Sequence, residues 1–305
     1  MLPREVSPAQ FEAGLARLLA ASPPEHLGFV GPSSISWRLN AEAVLHVAGP
    51  RALLMQFAHP LVAQGITDHT NFRRDPYGRA RRTFGSMYTL LYGTREEALR
   101  IARRLHAMHA RVRGVLPTTV GRYAAGTPYV ANDVDLLAWV WSTLADSSVH
   151  AFERYVRPLR PDELAAYDAQ TRSLALLFGI PPEYWPAGWA GFRAWVDTQV
   201  HGDTLALGPA GHELANMFLR GEAGPRAAAP WFRWFAAGTL PPALRDAYDL
   251  RPGNLTAFSF RWFERGLRAA VHATPRPLRS APSAVRAGWR ARWRALPLPG
   301  SASLR

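Results

Sequence analysis

Four of the chain's ten histidines, His59, His69, His106 and His109, fall between residues 59 and 114, among a dense run of arginines. Imidazole carries protons and ligates metals near neutral pH, and guanidinium groups bind carboxylates bidentately. This segment therefore has the residue types for metal or acid–base chemistry. It opens His59-Pro60-Leu61-Val62-Ala63-Gln64-Gly65 and continues His69-Thr70-Asn71-Phe72-Arg73-Arg74-Asp75-Pro76. Arg79-Ala80-Arg81-Arg82-Thr83 follows, and the segment ends His106-Ala107-Met108-His109-Ala110-Arg111-Val112-Arg113-Gly114.

At about 100° per residue, Ile101, Leu105, Met108 and Val112 define one apolar stripe of a helix. His109 lies inside that stripe and His106 at its edge. Two readings stand for a histidine so placed. It is a core histidine bonded to a carbonyl, because burying it unsatisfied costs about 1–3 kcal/mol. Alternatively it is a neutral imidazole that donates a lone pair to a metal, with haem iron a leading candidate. Spacing of three also allows both histidines to reach one metal, though the edge position of His106 disfavours it. Arg79, Arg82 and Thr83 share a face of the preceding helix, which Ser86 and Leu90 continue into less polar territory. That face is either solvated or a binder of carboxylates such as haem propionates, or of a polar oxygen species. His59 and His69 flank Gly65, read as a break, and each can be structural. Together with His106 and His109 they could instead form a non-haem metal site. H-E-x-x-H, G-x-S-x-G, a glycine-rich phosphate loop and a dinucleotide fingerprint are all missing from the sequence.

Nearly every periodic stretch that could position these residues reads as helix. Ser7-Pro8 opens one carrying Phe11, Leu15, Leu18 and Leu19, and a Pro/Gly/Ser-rich loop runs from Ser22 to Ser34. Ile35 to Ala48 forms the next, and Arg51 to Ala58 a short apolar one that Pro60 interrupts. Asp75-Pro76 starts the helix of Arg79 and Thr83, with Asp as cap and Pro at the first helical position. Thr94-Arg95-Glu96-Glu97 is a capping box that opens the helix of His106 and His109. Residues Gly114 to Ala131 read as loop. Asp133 to Arg157 reads as a long helix on Leu136, Leu137, Val140, Leu144 and Val149, Pro161 opens another that ends at Gly179, and Thr256 to Val271 is the last long one. Period-two runs and internal repeats are not visible, so the fold class is all-α, one domain with the catalytic segment buried among helices.

Composition limits the partners. The chain has 305 residues, 48% of them apolar and 19% charged, enough for a full core. It contains no cysteine, which removes disulfides, thiol nucleophiles and thiolate ligands. All 36 basic residues are arginine, so Schiff-base chemistry on lysine is excluded. The net charge of +13 is spread over every segment, as GC-rich coding produces, and no nucleic-acid function is expected from it. A secretory signal and a run long enough to span a membrane are both absent from the sequence, so a cytoplasmic location is expected. Peripheral membrane contact stays open through Trp289, Arg290, Arg292, Trp293 and Arg294.

Several motifs in order resemble a known family. These are Leu54-Met55-Gln56-Phe57-Ala58-His59-Pro60-Leu61-Val62-Ala63 with Gly65 and His69, then Phe72-Arg73-Arg74-Asp75-Pro76 and Arg79-x-x-x-Thr83. Tyr92-Gly93-Thr94-Arg95-Glu96-Glu97-Ala98, His106-x-x-His109-x-x-Val112-x-Gly114 and Tyr129-x-Ala131-Asn132-Asp133 follow, with Leu136-Leu137-x-Trp139-Val140. The set is similar to MpaB-type oxygenases and bacterial latex-clearing rubber oxygenases over about residues 35 to 275. The resemblance implies an all-helical, globin-like fold around a b-type haem, with His109 as axial ligand, Arg79 and Thr83 beside the haem, and His106 in support. Trp139 and Trp141 would belong to the helix packed over this region.

Rubber oxygenases place a lysine before the threonine, where this chain has Arg82, which stays charged and is a very poor iron ligand. Their distal glutamate is unmatched, the corresponding region holding Ala63 and Gln64. With no secretion signal, extracellular polyisoprene is not the expected substrate.

The expected organisation is an N-terminal helix and loop over 1–34, an oxygenase-like catalytic domain over 35–275 and an irregular arginine-rich tail over 276–305. The expected activity is haem b-dependent oxygenation, or peroxygenase-like chemistry, of an apolar small molecule or lipid, including unsaturated ones, with dioxygen. Arg82 or Thr83 would steer the oxygen, and Met55, Phe57 and Phe84 would supply a dry pocket. The alternatives are a haem or ligand carrier without turnover, a non-haem metal enzyme using the four histidines, and a helical scaffold whose histidines are all structural.

Overall fold

A computed structural model of the chain describes residues 2–23, 27–69, 76–222 and 229–295, with backbone alone at 76, 77, 79–81 and 291–295. Its first helix, α1 (Pro8–Ala21), begins with a reciprocal cap. The Ser7 hydroxyl accepts from the Gln10 N–H, and the Gln10 side chain accepts from the Ser7 N–H. Phe11, Leu15 and Leu18, at helical spacing, are its buried face.

The helix expected from Ile35 to Ala48 is divided. α2 (Ile35–Asn40) stops, and a 3-10 segment covers Ala43–Ala48. Between them Glu42 is extended and buried, paired with Arg279 at 3.2 Å, so a tertiary ion pair overrides helical continuation. α3 (Gly49–Phe57) and α4 (Pro60–His69) flank the expected interruption. Gly65, however, lies inside α4 and does not break it. A Cβ there would meet the Tyr129 ring at 3.4 Å, so its smallness seats an aromatic side chain.

α5 (Pro76–Tyr92) and α6 (Arg95–His109) follow, packed together across Gly93-Thr94. The capping box forms as expected: the Thr94 side chain accepts from the Glu97 N–H and the Glu97 carboxylate from the Thr94 N–H. Within the stretch read as loop, β1 (Arg113–Val115) pairs antiparallel with β2 (Pro128–Val130), Gly114 opposite Tyr129.

The centre of the fold is α7 (Val134–Tyr155). Its buried residues lie on all sides, including Trp139, Asp146 and Phe152 as well as Leu136, Leu137 and Val149 of the expected stripe, of which Val140 and Leu144 are half-buried. Around it pack α2, α3, α8 (Pro161–Ala175) and α9 (Gly188–His201). α10 (Pro209–Leu219) covers α3 and α4, and α11 (Ala229–Thr239) packs on α3 and α10. α12 (Pro242–Ala247) touches α9, and α13 (Asn254–Ala273) returns to α7. The fold is all-α apart from one small hairpin. No helix among the described residues is long and apolar enough to cross a membrane.

Two expectations fail here. As far as residue 295, the last one described, the tail is not irregular: α14 (Arg276–Arg279) and α15 (Pro282–Ala295) form, and Ala281, Ala284 and Ala287 pack against Tyr92. Small residues at intervals of three bring α15 close to α5, a signal hidden among the arginines. The segment carrying the chemistry is also not uniformly buried. α7 takes the central position, while α5 and α6 are flanking helices, each with an exposed side.

Candidate functional site

Burial along α5 and α6 changes with distance from their shared turn. Near it, Leu90 and Tyr92 on α5 and Ala98 and Ala102 on α6 are buried. Farther along α6, the same inward stripe continues through Leu105 to His109, both half-buried. Opposite, the four consecutive residues Arg82, Thr83, Phe84 and Gly85 of α5 are all exposed. Four residues at 100° each sweep most of the circumference, so this turn is open to solvent on several sides, while the Phe84 ring leans toward His46. The paired helices thus have a close-packed end and an open end, and His109 and Thr83 both lie toward the open one. The expected passage from exposed Arg82 to less polar territory holds, with Ser86 half-buried and Leu90 buried. The side chain of Arg79 lies outside the described residues.

The end of α6 is held by residues of the motifs quoted above. The Asn132 side chain donates to the His106 carbonyl at 3.0 Å, satisfying an acceptor at the helix end. The Ala131 N–H donates to the Val112 carbonyl at 2.9 Å. Tyr129, 2% exposed, donates its hydroxyl to Asp68 of α4 at 2.5 Å. A Cβ on Gly114 would stand 2.5 Å from that hydroxyl, so the strand pair accepts only glycine there without displacing the ring. Together these contacts fix the helix end that carries His109.

The other histidines go elsewhere. His106 stacks face to face on Phe11 at 4.2 Å with the planes 5° apart, and its Nδ1 is buried with no hydrogen-bond partner. Burial lowers its pKa, which Glu5 and Glu12 oppose. His59 is 3% exposed, and its Nε2 lies 3.3 Å from the Tyr123 hydroxyl while Nδ1 has no partner. Burial, and then the Arg122 charge, push it down to about 3, so it stays neutral. His69 is exposed, its Nε2 on the Arg113 carbonyl at 3.1 Å. Among the described residues no three His, Asp or Glu side chains are grouped to hold a metal, so the four-histidine set is not assembled. The physical reason is direction: His106 turns to Phe11, His59 to Tyr123 and His69 to the Arg113 carbonyl.

An apolar cavity of about 170 Å³ lies between α2, α3, α5, α7 and α8. Phe84 lines it, as expected, and also belongs to the exposed turn of α5, so cavity and open end adjoin. Met55 and Phe57 do not line it; both are fully buried core residues. Sequence reasoning missed His46 and Tyr88, which line it as a hydrogen-bonded pair. A carbonyl can only accept, so the His46 Nδ1–H donates to the Ala43 carbonyl at 2.8 Å. Nε2 is then the acceptor for the Tyr88 hydroxyl at 2.6 Å. Nothing in the local sequence pairs residues 42 positions apart. Trp139 and Trp141 stand 200° apart on α7 and separate accordingly: Trp139 donates to the Met55 carbonyl at 3.2 Å, and Trp141 lines the cavity.

Comparison with family models matches residues 37–269 to the one described as ER-bound oxygenase mpaB/B'/Rubber oxygenase, catalytic domain. Curated proteins and solved structures give no match. The match spans the whole α3–α7 framework and continues into α13, and on it the chain belongs to the MpaB/rubber oxygenase catalytic-domain family.

Proposed function

We propose that the chain is a haem b-dependent oxygenase that acts with dioxygen on an apolar small molecule or lipid. The observation that supports this is the half-buried His109 on the inward stripe of α6, toward the end of the α5–α6 pair where Arg82, Thr83, Phe84 and Gly85 of α5 are exposed. The residues present fit the group. A half-buried imidazole on the inward stripe is a suitable iron donor. Family membership supports oxygenase chemistry independently.

His109 would hold the iron, and Arg79 and Thr83 would flank the macrocycle, where guanidinium and hydroxyl groups suit propionates. Bound there, haem supplies the activation of dioxygen. The Arg82 guanidinium carries donors and no acceptor, so it would act as a hydrogen-bond donor toward an oxygen species and not as a base. The cavity bordered by Phe84 excludes water from an apolar substrate beside that end. Anchoring of the α6 terminus by Asn132 and the β1–β2 pair keeps the imidazole from swinging, as second contacts do for metal-bound histidines.

The test is the absorption spectrum of the purified protein. A Soret band is expected, lost in His109→Ala and kept in His59→Ala. Oxygen uptake with a carotenoid or unsaturated lipid then identifies turnover. A colourless protein that takes up no added haem contradicts the proposal.

A further inference from the structure

α13 carries two apolar faces, and only one of them is packed. Phe260 and Val271 are buried and Phe263 and Leu267 half-buried, all within one arc of the helix. The second face points away from the protein. Leu255, Phe258 and Trp262, at spacings of three and four, are 81%, 52% and 55% exposed, and the rings of Phe258 and Trp262 lie 6.1 Å apart. Trp231 of α11, 59% exposed, meets Phe263 at 5.9 Å and extends the apolar ground on one flank. At 100° per residue, Arg261, Arg265 and Arg268 fall on the other flank, all of them exposed. Arg265 lies over the Trp262 ring at 5.0 Å, and none of the three arginines pairs with a carboxylate among the described residues. Glu264, the sole carboxylate of this helix, turns inward to Arg154 and Tyr155.

A single exposed hydrophobic needs no explanation, but a contiguous aromatic stripe bordered by unpaired arginines is the make-up of a helix that lies in a membrane interface. Indole rings settle at headgroup level, and guanidinium groups bind phosphate oxygens. A second copy of the chain fits this face less well, because pairing it with itself brings arginines together with no carboxylate between them. We infer that α13, with Trp231 beside it, is a docking surface for an anionic lipid bilayer. Leu255, Phe258 and Trp262 enter the headgroup layer, and Arg261, Arg265 and Arg268 meet the lipid phosphates. The attachment is peripheral, goes beyond the proposed oxygenation and does not require haem.

The test is flotation of the purified full chain with vesicles of phosphatidylcholine, alone or with about one-third phosphatidylglycerol. Each arginine near an anionic surface strengthens binding about five-fold, so the anionic vesicles should bind about 100-fold more tightly than the neutral ones. Raising the salt from about 0.15 M to about 1 M should remove most of that difference. Arg261→Gln, Arg265→Gln and Arg268→Gln together should bring anionic vesicles to the neutral level, while Arg→Lys at the same three positions should keep the preference. Phe258→Ser with Trp262→Ser should weaken binding about 30-fold, as half-exposed rings lose their place in the headgroup layer. The exchanged side chains are exposed, so each variant should melt within about 2 °C of wild type. Trp289→Ala, at the exposed tryptophan of α15, should bind as wild type does. Equal binding to the two vesicle types, no binding to either, or loss in Trp289→Ala alone overturns the inference. So does a dimer in light scattering that the Phe258/Trp262 exchange dissociates, since a second copy then covers the face.

Discussion

Gly114→Ala tests the claim that the strand pair and α4 jointly fix the end of α6. The new Cβ would stand 2.5 Å from the Tyr129 hydroxyl and 2.7 Å from its Cζ, both far inside contact distance. Tyr129 is the direct cross-strand partner and is buried, so the ring must leave its place and its 2.5 Å bond to Asp68. A hydrogen bond to a carboxylate contributes about 1.5–3 kcal/mol, and displacing a packed ring adds to that, for a total of roughly 2–4 kcal/mol. At about 2–3 °C per kcal/mol for a chain of this size, the melting temperature should fall by about 5–10 °C. Gly65→Ala is the control on the other side of the same ring. Its Cβ would touch Tyr129 at an ordinary 3.4 Å, and alanine favours a helix interior by up to about 1 kcal/mol. Differential scanning calorimetry of both variants decides. A Gly114→Ala melting temperature within 1 °C of wild type, or equal losses in the two variants, would refute the reasoning.

Removing the Asp146 carboxylate should be more damaging. Arg51, 4% exposed, pairs with it at 2.6 Å and otherwise bonds Ser147 and the Thr239 carbonyl, so Asp146→Ala strands a buried guanidinium at a cost of about 3–5 kcal/mol in urea unfolding. An effect below about 1 kcal/mol would show the pair to be solvated. Thr94→Ala breaks the capping box of α6 and should cost about 1 kcal/mol in the same assay, with Thr94→Ser close to wild type. His59 has a folded pKa of about 3 against an unfolded value near 6.5. The native state therefore binds fewer protons, and stability is lost as pH falls from 6.5 toward 3, by about 1.4 kcal/mol per pH unit. His59→Gln should flatten the stability curve between pH 6 and 4 by that amount, leaving the part that His150, also held near 3 by burial, contributes. Parallel curves for variant and wild type would contradict the assignment.

Much of the architecture was legible because its signals are local. Thr94 and Glu97 sit at capping-box spacing, Asp133 before a long apolar helix, and Phe11, Leu15 and Leu18 on one face. The stripe read as Ile101, Leu105, Met108 and Val112 was right only in part, since Leu105 and His109 face inward with Ala98 and Ala102 while Met108 is 51% exposed and Val112 lies beyond the helix, and the order of motifs led to the family. What could not be read depends on partners distant in sequence. Gly65 looks like a break until Tyr129 is placed against it, and Glu42 like a helical residue until Arg279 draws it away. Gly114 and Val130 looked like loop because three-residue strands carry too few residues for a period. The cavity, with His46, Tyr88 and Ser36, gathers residues from five α-helices and from 3-10 segments, and has no sequence signature of its own.

The central claim is that the imidazole of His109 holds an iron porphyrin. Its most direct measurement is the haem b content per chain of His109→Gly, with and without added imidazole. The account predicts about one haem per wild-type chain, a variant without haem, and recovery of the Soret band when free imidazole fills the space of the missing ring. A variant that retains the wild-type haem content and spectrum would contradict it.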